Sequence, residues 1–156
     1  MIIVEGPDGS GKSTLAKKIG KNVLHSGGPI TDRAEIFNRV KNLSEQYREG
    51  DVVDRFPYLS EIVYGQPPII APVLLISAFE AFRERCNRMT LIYCRAEIQT
   101  MYENISYEKK THKSESYLEE VKKRYFEIVQ KYDELFNTIK PDFIYNWQKD
   151  KLPCVD

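Results

Sequence analysis

The stretch Gly6-Pro7-Asp8-Gly9-Ser10-Gly11-Lys12-Ser13 decides how the rest of the chain is interpreted. It matches, without a gap, the phosphate-binding pattern Gly-x-x-x-x-Gly-Lys-Ser/Thr. The apolar residues 2–4 before it predict a strand, and apolar residues at helical spacing over 14–21 predict a helix after it. A strand, a glycine-rich loop and a helix in this order form a cradle whose backbone N–H groups point at phosphate oxygens. The stretch therefore predicts a phosphate-binding loop.

Each residue type in this loop suits the binding of a nucleoside triphosphate. The glycines let the backbone bend, the amine of Lys12 reaches the β- and γ-phosphates, and the hydroxyl of Ser13 is a ligand for Mg²⁺. Thr14 is placed to contact the α-phosphate. We therefore expect ATP and Mg²⁺ as cofactors, with ATP bound by Gly9, Ser10, Gly11, Lys12, Ser13 and Thr14. The alternative, a glycine-rich turn with an incidental lysine, is disfavoured by the flanking strand and helix patterns.

Composition and charge are those of an ordinary globular chain. Its 156 residues are the usual length of one domain, and we expect a single domain over residues 1–156. Lys plus Arg and Asp plus Glu both number 23, so no overall positive field attracts the chain to nucleic acid. The three cysteines lack metal-ligand spacing and no signal-peptide pattern is present, which together favour a cytoplasmic location. The uncharged segment 62–79 contains three prolines, so we expect no membrane span.

Strand and helix patterns alternate along the chain. Short apolar runs predict further strands at residues 23–24, 51–54, 91–94 and 143–145. Helical spacing and capping residues predict helices at residues 32–50, 58–64, 72–86, 96–103 and 116–139. Such alternation predicts an α/β fold with a central parallel sheet and helices on both faces. In folds of this kind, ligands bind beyond the carboxyl ends of the strands.

Asp54 and Arg55 stand directly after the apolar pair Val52-Val53. In P-loop proteins an acidic residue at the end of a neighbouring strand holds Mg²⁺, so Ser13 and Asp54 are the predicted metal ligands. The two charges could also mark a strand that leaves the core, but a position at the carboxyl edge of a parallel sheet favours a site. A GTPase is disfavoured, because the chain has no Asn-Lys-x-Asp sequence and no Asp-x-x-Gly after the third strand.

The segment 104–114 is polar and basic and has no apolar periodicity. We predict that it is a mobile loop that closes over the triphosphate as a lid. Its lysines Lys109, Lys110 and Lys113 would then bind ATP and neutralise charge on the transferring group. An alternative of equal weight is that these lysines are solvated loop charges.

Two motifs carry a resemblance to a known family. Residues 3–14 resemble the N-terminal signature of thymidylate kinases, whose loop also carries an acidic residue in third place. Asp54-Arg55-Phe56 resembles the family's Asp-Arg-aromatic motif, and Ser60 and Tyr64 are spaced like the serine and tyrosine that follow it. Residues 121–125 resemble the family's long helix after the lid. The resemblance implies a P-loop NTPase fold of the nucleoside monophosphate kinase-like class, in a short version like those found in phages.

The resemblance also implies roles for the matching residues. Asp8 would contact the acceptor's deoxyribose 3′-hydroxyl or the metal environment, and Arg55 would grip the acceptor phosphate. Phe56 would pack near the sugar, where it disfavours a 2′-hydroxyl. The implied acceptor-binding residues are Asp8, Phe37, Arg55, Phe56 and Tyr64. The candidate residues for reading the base are Phe37 with Arg33 or Arg39.

The predicted function is ATP- and Mg²⁺-dependent phosphoryl transfer to a deoxynucleoside monophosphate such as dTMP, with Lys12, Asp54, Arg55 and Asp8 as catalytic residues. One alternative is a P-loop kinase for another acceptor, such as a nucleoside or hydroxymethyluracil within phage DNA. A nucleotide switch without transfer activity is a further alternative. The expected partners are small-molecule nucleotides and not a membrane; nucleic acid is disfavoured as an acceptor, and a homodimer is compatible with the sequence. The location would be the cytoplasm, or the host cytoplasm if a phage encodes the chain.

Overall fold

The computed structural model describes residues 1–27, 30–86, 88–108 and 115–154. In these residues the strands are β1 (Ile2–Glu5), β2 (Val23–His25), β3 (Val52–Asp54), β4 (Thr90–Cys94) and β5 (Phe143–Tyr145). The helices are α1 (Lys12–Ile19), α2 (Arg33–Gln46), α3 (Pro57–Tyr64), α4 (Pro72–Arg85), α5 (Ile98–Glu108), α6 (Glu115–Lys123) and α7 (Tyr125–Thr138). No helix among the described residues combines the length and the apolar character that a membrane crossing needs.

The five strands form one sheet in the order β2-β3-β1-β4-β5, and every neighbouring pair is parallel. The register pairs Val4 with Asp54 and His25 with Asp54, so these strand ends lie side by side. Because all strands run the same way, the loops after β1, β2 and β3 open at one edge of the sheet. The predicted α/β fold with a central parallel sheet is confirmed.

The core has two layers, one on each face of the sheet. Ile3, Val53 and Leu91 belong to a large buried cluster that includes residues of α2, α3, α4 and α7. Their chain neighbours Val4 and Ile92 point to the other face, where they pack against α1. This alternation is what a buried parallel strand requires, since successive side chains point to opposite faces. Helices therefore cover both faces, as predicted.

Local signals account for several helix starts. Asp32 caps α2 by accepting a hydrogen bond from the Glu35 N–H at 2.8 Å, as the capping pattern predicted. Pro57 and Pro72 are the first residues of α3 and α4, where the missing proline N–H costs nothing. Gly65 follows the last residue of α3, as expected from the sequence.

Two predicted elements differ from the structure. Helix α5 continues to Glu108, so a loop beginning at residue 104 was wrong for residues 104–108. The cause is tertiary: Ile105 is fully buried, and the Asn104 amide donates to the Gly9 carbonyl at 3.2 Å. The rest of the predicted lid, with its three lysines at 109, 110 and 113, lies outside the described residues.

The single long helix predicted over 116–139 was also wrong, because α6 and α7 are separated at Arg124. The backbone of Arg124 has φ −105° and ψ 9°, and its N–H bonds to the carbonyls of both Glu120 and Val121. This tightened turn ends α6 and redirects the chain into α7.

Candidate active site

The glycine loop between β1 and α1 is held tightly against its surroundings. Gly9 and Gly11 have φ values of 76° and 82°, a conformation that other residues rarely adopt. A Cβ on Gly9 would lie 2.1 Å from the Met101 carbonyl oxygen, and one on Gly11 would lie 2.8 Å from the Trp147 ring. No other residue type fits these positions without movement of the backbone or the indole. The loop is therefore a preformed cradle at the N-terminus of α1.

The centre of the site is the carboxylate of Asp8, which is fully buried. Arg55 donates from Nη2 to Asp8 Oδ1 at 2.7 Å, and the amine of Lys12 lies 3.6 Å from the same oxygen. The Tyr64 hydroxyl donates to Asp8 Oδ2 at 3.5 Å. Two cations thus converge on one buried carboxylate, one from the phosphate-binding loop and one from the end of β3.

Arg55 is fixed by more than its ion pair. Its guanidinium lies 4.7 Å from the centre of the Tyr64 ring, within the range of a cation–π contact. Its backbone has φ 71°, an unusual value for a residue that is not glycine, and its N–H donates to the Val4 carbonyl at 3.0 Å. This turn after β3 directs the Arg55 side chain toward the loop. Backbone strain at a site residue is frequent where positioning matters.

Glu5 belongs to the candidate site, but its sequence position did not identify it. Its carboxylate is fully buried and accepts hydrogen bonds from the Gly6 N–H at 3.1 Å, the Phe56 N–H at 2.9 Å and the Tyr132 hydroxyl at 2.8 Å. Burial raises the pKa of Glu5, and the nearby charge of Arg55 opposes that rise. Glu5 ties the start of the glycine loop to the turn after β3. An acidic residue directly after an apolar run was the signal in the sequence.

Tyr125 is a second residue that the sequence did not reveal as part of the site. Its hydroxyl donates to the backbone carbonyl of Asp8 at 2.7 Å, and its ring is fully buried. The first residue of α7 therefore contacts the glycine loop directly. The sequence offered only its place on an apolar helical face, which predicts core packing equally well.

Asp54 and Ser13 meet at the predicted metal position. The Ser13 hydroxyl donates to Asp54 Oδ2 at 2.7 Å, and His25 Nδ1 lies 3.6 Å from the same oxygen. Asp54 Oδ1 is buried and has no hydrogen-bond partner among the described residues. A hydroxyl and a carboxylate with an uncommitted oxygen fit Mg²⁺, which takes few protein oxygens and completes its shell with water and phosphate. In the same described ranges no cluster of three His, Cys, Asp or Glu residues forms a self-sufficient metal site.

A cleft of about 400 Å³ opens on the α1 side of the loop. Its lining includes backbone of the loop, the start of α1 and the indole of Trp147, which is the sole tryptophan of the chain. The residues around it are Gly9, Gly11, Thr14, Leu15, Lys18, Asn104, Tyr145 and Trp147. The cleft lies beside the glycine loop and extends it outward past Trp147.

Two of the predicted acceptor-binding residues lie elsewhere. Phe56 is fully buried in the core, with its ring centre 5.3 Å from that of Phe79 and 5.1 Å from that of Phe82. Its side chain points away from Asp8, because the chain turns at Arg55 and sends the next side chain under α4. Phe37 is 49% exposed, and its ring meets the edge of Tyr58 at 5.9 Å. Neither phenylalanine joins the group around Asp8 in this structure.

The two arginines considered for base reading have other contacts. Arg33 donates to the Ile69 carbonyl at 3.2 Å. Arg39 pairs with Glu35 and donates to the Ser26 carbonyl at 3.1 Å. Both contacts lie along α2 and its neighbouring loops, and neither reaches Arg55 or Asp8.

No family model and no curated protein matches this chain. Several solved structures do match this chain. The YorR protein from Bacillus subtilis, in complex with phosphorylated GDP, aligns with TM-score 0.70 and 19% identity over 95% of this chain and 86% of its own. Deoxyadenosine kinase from M. mycoides with bound dATP aligns with TM-score 0.58 and 18% identity over 96% and 92%. Polyphosphate kinase 2 from Arthrobacter aurescens TC1 aligns with TM-score 0.69 and 12% identity over 95% and 61%.

These likenesses define the class of fold. The chain has a P-loop NTPase fold, with its glycine loop between the central strand β1 and helix α1. Two of the three structures described above are those of a deoxyadenosine kinase and a polyphosphate kinase 2, and their likeness to this chain is one of fold. Thymidylate kinases in particular are not among the neighbours described above.

Proposed function

We propose that the protein transfers the γ-phosphoryl group of ATP, with Mg²⁺, to the 5′-phosphate of a deoxynucleoside monophosphate. The observation that carries this proposal is the convergence of Lys12 and Arg55 on Asp8, at 3.6 and 2.7 Å. One cation belongs to the loop that holds the donor, and the other faces it from the end of β3. A phosphorylated acceptor needs a second anion-binding group beside the donor's loop, and the position of Arg55 supports this proposal.

Catalysis in such a site is mostly positioning and charge stabilisation. Lys12 would stay in contact with the γ-phosphate during transfer. Arg55 would leave Asp8 and hold the acceptor phosphate in line with the bond that breaks. Asp8 would then be available to the acceptor's sugar hydroxyl. Ser13 and Asp54 would hold Mg²⁺, which supplies charge neutralisation between the donor phosphates. A general base is unnecessary, because a phosphate acceptor is already ionised near neutral pH.

A nucleoside acceptor is the second candidate, and a specific observation favours it. Asp8 is a buried carboxylate within 2.7 Å of an arginine, and a carboxylate so placed could accept the proton of a 5′-hydroxyl. The fold of deoxyadenosine kinase from M. mycoides is also among the neighbours. An acceptor base within DNA is disfavoured, since the net charge of the chain is zero.

The test compares three acceptors that carry the same base: the deoxynucleoside, its 5′-monophosphate and a short oligonucleotide. We expect the monophosphate to have the highest kcat/KM. Arg55→Ala should lower that value about tenfold to a hundredfold, because a charge-assisted contact to phosphate is lost. The ATP dissociation constant should change little.

Arg83→Ala is the matched control, since Arg83 is also a partly buried, ion-paired arginine but contacts Asp142 at the opposite edge of the sheet. It should leave acceptor kinetics unchanged. A preference for the deoxynucleoside would replace the proposal with the nucleoside kinase. A preference for the oligonucleotide, or indifference to Arg55→Ala, would point to a kinase acting on DNA.

A further inference from the structure

Arg124 occupies the turn between α6 and α7, one residue before the contact with the glycine loop. Its neighbour Tyr125 donates to the Asp8 carbonyl at 2.7 Å. Consecutive Cα atoms are about 3.8 Å apart, so Arg124 is close to the acceptor side of the site. The resemblance of residues 121–125 to the family's long helix after the lid gave this arginine no role.

The guanidinium of Arg124 has unusual unmet hydrogen-bonding capacity. Its Nε and Nη2 are buried and have no hydrogen-bond partner among the residues that the structure describes. The nearest carboxylates are those of Glu120, 3.9 Å from Nη1, and Glu127, 3.8 Å from Nη2. These distances are too long for hydrogen bonds. Buried donors without acceptors cost folding free energy, so such a group calls for an explanation.

The two unpartnered nitrogens lie on one edge of the planar group. The N–H bonds of Nε and Nη2 run side by side, and their spacing matches two oxygens of a phosphate or carboxylate. This edge therefore suits a group with two acceptor oxygens. The contacts to Glu120 and Glu127, at 3.9 and 3.8 Å, hold the side chain only weakly, so it can turn toward Asp8 at small cost.

The surroundings of Arg124 connect it to the acceptor side rather than to the donor cleft. Glu127 Oε1, beside Arg124, accepts from the amide of Gln66 at 3.1 Å. Gln66 follows the end of α3, and the last residue of α3 is Tyr64, whose ring lies against Arg55. Arg124 precedes α7 and Arg55 precedes α3, and the contacts of Glu127 with Gln66 and of Tyr64 with Arg55 connect these two turns.

We infer that Arg124 is a second acceptor-binding residue, which grips the acceptor's phosphate with its Nε–Nη2 edge together with Arg55. Two arginines on one side of the loop assign the acceptor to compounds that carry a phosphate, rather than to nucleosides. This inference rests on the proposed function and names the group within the acceptor that the site recognises.

The test measures binding and transfer with Arg124→Gln, Arg124→Lys and the control Lys123→Gln. Lys123 is the exposed cation next to Arg124. Its replacement removes one positive charge from the same turn but leaves the guanidinium group of Arg124 in place. Calorimetry gives the dissociation constants of the monophosphate and of ATP, steady-state kinetics gives KM and kcat, and thermal unfolding reports the fold.

We expect Arg124→Gln to weaken monophosphate binding about tenfold to a hundredfold, with ATP affinity and the unfolding temperature unchanged. Arg124→Lys should recover little of this loss, because an ammonium cannot form the two-pronged contact. Lys123→Gln should bind like the wild type. Monophosphate binding by Arg124→Gln equal to that of the wild type would overturn the inference alone. Full recovery of monophosphate binding in Arg124→Lys would also overturn it. An equal loss of monophosphate and ATP affinity in Arg124→Gln, together with a lower unfolding temperature, would do the same.

Failure of the proposed function has a different signature. A wild-type protein that neither binds nor phosphorylates any common nucleoside monophosphate would overturn both the function and the inference. A wild-type protein that phosphorylates monophosphates, with kinetics insensitive to Arg124→Gln, would leave the function standing and remove Arg124 from it.

Discussion

Glu5 shows how much of the site depends on single buried groups. Its carboxylate accepts three hydrogen bonds, from two backbone N–H groups and the Tyr132 hydroxyl. A glutamine amide in its place has one oxygen and one NH₂ group. At least one of the three donors would then face the NH₂ group, which cannot accept a hydrogen bond. An unsatisfied buried group of this kind costs about 1–3 kcal/mol.

Glu5→Gln should therefore lower the free energy of unfolding by about 1–3 kcal/mol, measured by urea denaturation. Glu97→Gln is the control, because Glu97 is exposed and pairs only loosely with Lys149 at 3.2 Å. Its effect should stay within about 0.5 kcal/mol. Equal stability of Glu5→Gln and the wild type would contradict the role assigned to Glu5 as the tie between the loop and β3.

The residues of the glycine loop could be predicted from the sequence because their chemistry is set by local spacing. Lys12 and Ser13 follow from the pattern alone, and Asp54 follows from its place after an apolar run. The partners of Glu5 could not be predicted, because Phe56 and Tyr132 are 51 and 127 residues away. Nothing in the local pattern distinguishes a buried carboxylate with three donors from one at a solvated strand end.

Helix α2 carries a pH-sensitive contact at its first turn. The Glu35 carboxylate accepts from the N–H and the hydroxyl of Thr31, both at 2.8 Å, and pairs with Arg39. These donors, with those of Thr31 first, lower the pKa of Glu35 from 4.5 to about 2. A lowered pKa means that the ionised form stabilises the folded state. This stabilisation is complete above about pH 4.5 and is lost as the pH falls toward 2.

Glu35→Gln should therefore unfold at lower urea concentration than the wild type at about pH 6, where the carboxylate is ionised. The difference should shrink at about pH 3, because below about pH 4.5 the unfolded wild type takes up a proton at Glu35 while the folded protein still holds the ionised form. Glu45→Gln, at the exposed far end of α2, is the control and should show no such convergence. A difference between Glu35→Gln and the wild type that is constant from pH 6 to pH 3 would contradict the assignment.

Among the helices, the sequence predicted the first residues better than the last residues. Asp32, Pro57 and Pro72 act within one turn of the chain, so their effect can be read locally. The extension of α5 through Ile105 depends on contacts with the glycine loop, which polar composition does not reveal. The position of Phe56 in the core could not be predicted either, because an aromatic side chain fits a sugar contact and a core position equally well.

For the whole molecule, the alternation of strands and helices sufficed to predict the parallel sheet with helices on both faces. The architecture follows from apolar runs that occur at every strand. The acceptor does not follow from it, because related folds bind different compounds and the choice lies in a few side chains. Under the proposed function, the side chains that make this choice are those around Asp8.

The measurement that tests the kinase assignment most directly is formation of nucleoside diphosphate from ATP, Mg²⁺ and a deoxynucleoside monophosphate. The comparison is between the wild type and Lys12→Ala, with circular dichroism to establish that both are folded. The amine of Lys12 acts on charge that develops in the transition state, so its loss should reduce turnover about a hundredfold to a thousandfold. Diphosphate formed by the wild type and nearly abolished in a folded Lys12→Ala protein is the predicted result. Equal turnover by the two proteins would contradict phosphoryl transfer at this loop.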